Sequence, residues 1–273
     1  ALDINERDQD APAGTVNVDA GGTITVVAAQ SGVTGTAGQV ELDANGVASS
    51  ILVNDEVTTT GGAINILADD DAVFSADGDV TSGGGNVTVT GDADAVAAGT
   101  DGAVTMADGA VIDAGSGTID IDADEDVTLG GATTTNATGT AVTVTSTSGG
   151  VVDGGDTDTD ITANSGTVVI DAVTGVGSTN AIDTQIDTLD LDNTTSGNVD
   201  INETDDLNIN QLDQDAAAGT VNVDAGGTIT VVAGQDGVTG TAGQVELDAN
   251  GATSSINVND EVTTTGGAIN ILA

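Results

Sequence analysis

Cysteine, histidine, tryptophan and tyrosine are missing from the 273 residues, and phenylalanine, methionine and proline occur once each. One Lys or Arg, Arg7, faces 45 Asp or Glu, for a formal net charge of −44. Each absence removes a class of chemistry. Without thiolates or imidazoles there is no zinc, haem or iron–sulfur site and no Cys or His catalysis. Without lysine there is no phosphate-binding loop. A rod or sphere of such charge repels nucleic acid and anionic membranes, so neither is an expected partner. No stretch approaches the roughly 20 apolar residues of a membrane span. Without aromatics the core must be narrow and filled by small, mostly β-branched side chains.

What is present is repetition. Residues 14–28 read GTVNVDAGGTITVVA, and residues 219–233 repeat them letter for letter. Leu2 to Ala68 realigns with Leu207 to Ala273, an offset of 205 (207 − 2), with scattered changes such as Arg7 against Leu212 and Leu52 against Asn257. The chain is read as one continuous body over 1–273: a 205-residue unit at 14–218 and the start of a near-identical unit at 219–273. It starts without Met and stops in mid-motif, as an excerpt of a longer array would.

Inside the long unit runs a shorter rhythm, a small or polar residue before an apolar–polar–apolar run: GTVNVDA at 14, GQVELDA at 38, GAINILA at 62 and GNVTVTG at 85. It continues at 102, 117, 140, 166, 187 and 197, with strand assignments open around 102–117 and 187–197. Strict alternation over four or five residues is the pattern of a half-buried strand. Glycine, asparagine and aspartate turns separate the runs. No such coil buries its apolar face alone, so neighbours must stack. The fold expected is all-β, a right-handed parallel β-helix (β-solenoid) of about 12 coils of roughly 23 residues. The second GTVNVDAGGTITVVA is then the same coil about nine turns along. Disorder conflicts with the regular alternation, and immunoglobulin-like sandwiches conflict with the short period and absent aromatics.

GTIDIDADEDVTLGGATT (117–134) and GGNVTVTGDADAV (84–96) resemble the repeats of bacterial filamentous-haemagglutinin-type and related giant repetitive surface proteins. The resemblance implies export, a long β-helical shaft and service in adhesion, biofilm or cell-surface structure. The expected function is thus an extracellular structural protein, an acidic solenoid rod forming a shaft, filament or surface layer. The alternative is the stalk of a large bacterial adhesin, with attachment made by domains outside this segment. The expected partners are further copies of the rod, end to end or side by side, and divalent cations.

Twelve coils at ~4.8 Å make a rod of roughly 55–60 Å, with about one charge per ~1.3 Å against ~1.7 Å for duplex DNA. Such density favours screening by salt or bridging by a hard cation. The candidate clusters are Asp69, Asp70 and Asp71; Asp92 with Asp94; Asp120, Asp122, Asp124 and Asp126; and Asp156, Asp158 and Asp160 in GGDTDTD. Ile161 stands where a calcium loop of the helix–loop–helix type needs glycine. Each cluster is read either as a calcium site or as a solvated acidic turn that blunts sheet edges. No cofactor is required. An enzyme is not expected: faithful repetition leaves no place for a unique site, and saccharide sites normally add aromatic platforms and cationic clamps. Ice binding would need threonines recurring at one place in every coil, which the sequence does not show.

Overall fold

The computed structural model describes residues 1–11, 14–93, 102–155 and 158–273, and every element among them is a β-strand. Each strand pairs in parallel with the strand one coil before and one coil after, making a β-solenoid of about 11 turns. Alternation dictates this. In Val40–Ala44 and Ile64–Ala68 every second residue is fully buried, while the residues between them lie half exposed.

Three ladders make up the first seven coils. The first stacks Leu2–Ile4, Ile24–Val26, Ile51–Val53, Ala72–Phe74, Val104–Met106, Val127–Leu129 and Val151–Asp153. The second stacks Glu6–Gln9, Gly32–Gly35, Val57–Thr59, Val80–Thr81, Val111–Gly115, Gly131–Thr134 and the first part of Ile161–Ala172. The third stacks Val16–Ala20, Val40–Ala44, Ile64–Ala68, Val87–Thr90, Ile119–Ala123, Thr140–Ser146 and the last part of Ile161–Ala172. The open assignments are thereby settled: the run at 102 belongs to the first ladder and the run at 117 to the third.

One core of Val, Ile, Leu and Ala runs the length of the stack. Each fully buried Ile or Leu contributes about 1.5–3 kcal/mol. The single Phe and single Met, Phe74 and Met106, are register partners in adjacent coils, so the two stack on each other in one column of the core. Where a glycine leads a run, it has a steric cause. A Cβ on Gly38 would lie 1.9 Å from the Gly14 carbonyl oxygen, on Gly62 1.9 Å from that of Gly38, and on Gly117 2.1 Å from that of Gly85. Consecutive coils approach too closely there for any side chain.

The long repeat does not return to the same side of the rod. Ile161–Ala172 and Ile182–Asn193 are 12-residue strands that run through the second and third ladders as single elements. The first ladder shrinks to the bridges Val151–Val176–Val199. Val199–Glu203 then covers both Val176 and Ile182–Thr184, merging the first two ladders, and Val221–Ala225 stacks on it. Leu207–Gln214 continues the third ladder and carries Ile229–Val231 and Gly237–Gly240, the copies of first- and second-ladder strands. From Val16–Ala20 the third ladder takes eight steps to reach Leu207–Gln214 (through 40–44, 64–68, 87–90, 119–123, 140–146, 167–172 and 188–193). The copy Val221–Ala225 follows half a coil later. The expected nine turns are therefore about eight and a half, and the two copies of GTVNVDAGGTITVVA occupy exchanged sides. Residues 176–214 form the seam between them.

Candidate functional site

With almost no cations, the carboxylates must find other donors, and the stack supplies backbone N–H groups and amides from the next coil. At corners, Asp55 accepts from Gln30 N at 2.7 Å, Asp79 from Val111 N at 2.9 Å and Asp206 from Thr228 N at 2.6 Å. Such charge-assisted bonds tie neighbouring turns together. Backbone donors of Glu261, Gly234 and Gln235 hold Asp260 below the usual carboxylate range. On the outer face of the third ladder, Glu41 accepts from Asn17 Nδ2 at 3.1 Å and Asn65 Nδ2 at 3.3 Å, one coil to each side. The second copy repeats the motif with Asn270 on Glu246 at 3.0 Å. Asn45 likewise donates to Asp19 at 2.7 Å.

The residues singled out as calcium candidates take part in the same scheme. Asp71 Oδ1 accepts from Ala103 N at 2.9 Å, and Asp70 Oδ2 from Ser50 Oγ at 3.0 Å, with Asp69 nearly buried beside them. Asp126 accepts from Gly150 N at 2.8 Å and Asp124 from Thr147 Oγ1 at 2.7 Å. Asp160 is fully buried, with Oδ2 on Asp183 N at 2.8 Å, while Asp158 is exposed. Asp120 and Asp122 point outward from one strand, and burial pushes both carboxyls up, Asp120 also through its neighbour Asp122. Asp92, Asp122 and Asp124 line a shallow recess of about 290 Å³ with Thr90 and Thr147. Asp94 and Asp156 lie outside the described residues. Among the described residues no three carboxylates come together in an arrangement that could hold a metal ion.

The structure also makes columns that the sequence spacing hides. Thr34, Thr58 and Thr81 stack in register on the second ladder, Asp113 follows, then Thr133 and Thr162. The threonine column is thus longer than the sequence shows, though Asp113 interrupts it. Of the four Asn-x-Ser/Thr tripeptides in the chain, the one at Asn193 is closed to modification in the folded rod, because Asn193 is fully buried.

Two features of the seam escaped the sequence reading. Asp171, Asp192 and Asp213 are register partners on three successive coils. Burial first, and then the surrounding carboxylates, push Asp190 and Asp192 up, and burial also raises Asp171 and Asp213. Asp192 Oδ1 is buried without a hydrogen-bond partner. On the other side of the seam, Glu203 is 1% exposed in a column whose next member is Ala225. Its Oε2 accepts from Thr184 Oγ1 at 2.7 Å and Ile186 N at 3.0 Å, and its Oε1 from Asp205 N at 3.1 Å. Burial outweighs these three donors and lifts its pKa to about 7. The 21-residue spacing of Asp171, Asp192 and Asp213, and the Glu ending INE where runs such as VNVDA and VELDA end in Ala, were the available signals.

Compared with known protein families, with curated proteins and with solved structures, the chain matches none of them.

Proposed function

We propose that this chain is a segment of an extracellular structural rod, an acidic β-solenoid serving as shaft, filament or surface layer. One observation carries the reading: parallel hydrogen-bonded stacking continues from Leu2–Ile4 to Ile269–Leu272, and the second copy of the unit joins through a seam in which both sides of the stack stay paired. A design that spends its sequence on identical stackable coils gives constant cross-section and stiffness along any length. The acidic corners support it, since their carboxylates bind coil to coil. Extracellular placement draws on the resemblance of the 84–96 and 117–134 repeats to bacterial surface proteins.

Small-angle scattering and electron microscopy of the native material test this. Thin uniform rods with a ~4.8 Å axial repeat in diffraction are expected. Compact globular particles would overturn the reading, as would antibody labelling confined to the interior of the source cells.

A further inference from the structure

Elsewhere on the outer face no more than two acids stack in register, as Asp19 with Asp43 and Asp224 with Asp248, and the other columns alternate acids with amides or hydroxyls. The column containing Glu41 runs Asn17, Glu41, Asn65, Thr88, Asp120 and Thr143. At the seam this alternation fails on both sides of the rod at once. Asp171, Asp192 and Asp213 follow one another with no donor residue between them, and Glu203 is enclosed in a column where the next two coils put Ala225 and Ala249. We propose that the seam is a proton-responsive joint: residues 182–214 loosen when these carboxylates are charged and tighten when they take up protons, while the coils at 51–90 keep their stability.

The surroundings offer no positive charge to offset the negative ones. Asp192 is faced by Asp171 from the coil before, Asp213 and Asp215 from the coil after, and Asp190 on its own strand. Asp190 is faced in addition by Asp236. Glu203 has Asp205 beside it, and Asp187, Asp205 and Asp206 line the recess of about 380 Å³ next to it. Arg7, the only basic side chain, lies on the first coil. Like charges stacked at strand spacing repel, and an enclosed carboxylate loses hydration, so the charged state of each raises the free energy of the closed seam. Protonation removes both penalties. A protonated aspartate also gains an O–H donor for the carboxylate of the adjacent coil. Coils 51–90 hold no run of three stacked acids and no carboxylate as enclosed as Glu203: Asp69 keeps 9% exposure, and the other buried positions are aliphatic, phenylalanine, hydroxyl or glycine. The joint follows from this charge placement alone, so it stands or falls separately from where the rod works.

Hydrogen exchange with mass spectrometry on the whole chain tests it, with protection corrected for intrinsic exchange and expressed as the ratio of 182–214 to 51–90. From pH 7.5 to 5.5 the ratio is expected to rise about tenfold or more, since one unit of pKa difference corresponds to a factor of ten. Glu203→Gln should show at pH 7.5 most of the protection that the parent gains at 5.5. Asp192→Asn, on a half-exposed position that tolerates the change, should remove the part of the response that 1 M NaCl suppresses. A ratio that stays flat with pH would overturn the proposal, as would a full response retained in both variants.

Discussion

Glu41 sits between Asn17 and Asn65, whereas Asp192 sits between Asp171 and Asp213. The backbone plan at the two places is the same: parallel rungs, alternate residues inward, aliphatic interior. What differs is how the column treats charge. In the first region an acid recruits two amides from adjacent coils, so each added coil satisfies the one before it. In the seam the same geometry brings acids onto acids. A parallel ladder amplifies whatever its columns contain, because each side chain meets its register partners at ~4.8 Å on both sides. An alternating column is thereby stabilising and a uniform acidic one destabilising.

The largest expected effect tests whether the two regions share the same interior. Ile66→Ala and Leu191→Ala, both at fully buried positions, should each cost about 2–5 kcal/mol in urea unfolding. A much smaller loss at Leu191 would mean that the seam is loosely packed, and the contrast would not be one of charge. Next comes Glu203. Its folded pKa of about 7 exceeds its ordinary 4.5, so between those values the native state binds more protons than the unfolded one. Stability should therefore fall as pH rises from about 4.5 to 7 and be lowest above it. Glu203→Gln should flatten that slope and raise stability at pH 7.5 by about 1–3 kcal/mol, read from denaturant midpoints across pH.

Smaller and more pointed is a pair of opposite sign. At pH 7.5 and low salt, Asp192→Asn should stabilise by about 0.5–1 kcal/mol, and Glu41→Gln should destabilise by a similar amount as three charge-assisted bonds, from Asn17, Asn65 and Gln39, weaken. Equal signs in matched melts would erase the comparison. The smallest effect is a general one: melting temperature should rise by a few degrees as NaCl goes from low to about 0.5 M, and millimolar Ca²⁺ should act in the same direction at low salt. A melting temperature indifferent to salt, chelator and Ca²⁺ would show that the carboxylates are already neutralised within the fold.

Much of this molecule was legible before any coordinates. The inward set Val16, Ile24, Val26, Val40, Leu42, Ile64 and Ile66, and the outward Asn17, Asp19, Glu41 and Asn65, follow from period two. The glycine that leads many of the runs was visible as a rhythm, although its cause, the carbonyl of the preceding coil, was not. The acidic corner clusters were recognised as special residues, but their hydrogen-bond partners lie some 20–32 positions away, as in Asp71 with Ala103 and Asp70 with Ser50. Coil length varies with every corner, so a residue's vertical neighbour cannot be read from a fixed offset. The same variation concealed the threonine column, the stacked aspartates and the enclosure of Glu203.

Alternation, the lack of large side chains and near-perfect duplication determined by themselves that this chain stacks short parallel strands around a thin aliphatic core, because no other arrangement buries such faces. Only the tertiary structure decided which coil faces which side. That depends on where corners are lost: two continuous 12-residue strands and a first ladder reduced to single bridges shift the stack by half a coil. An identical sequence thus returns on the exchanged side of the rod, and carboxylates that the sequence spaces 21 residues apart meet in one column.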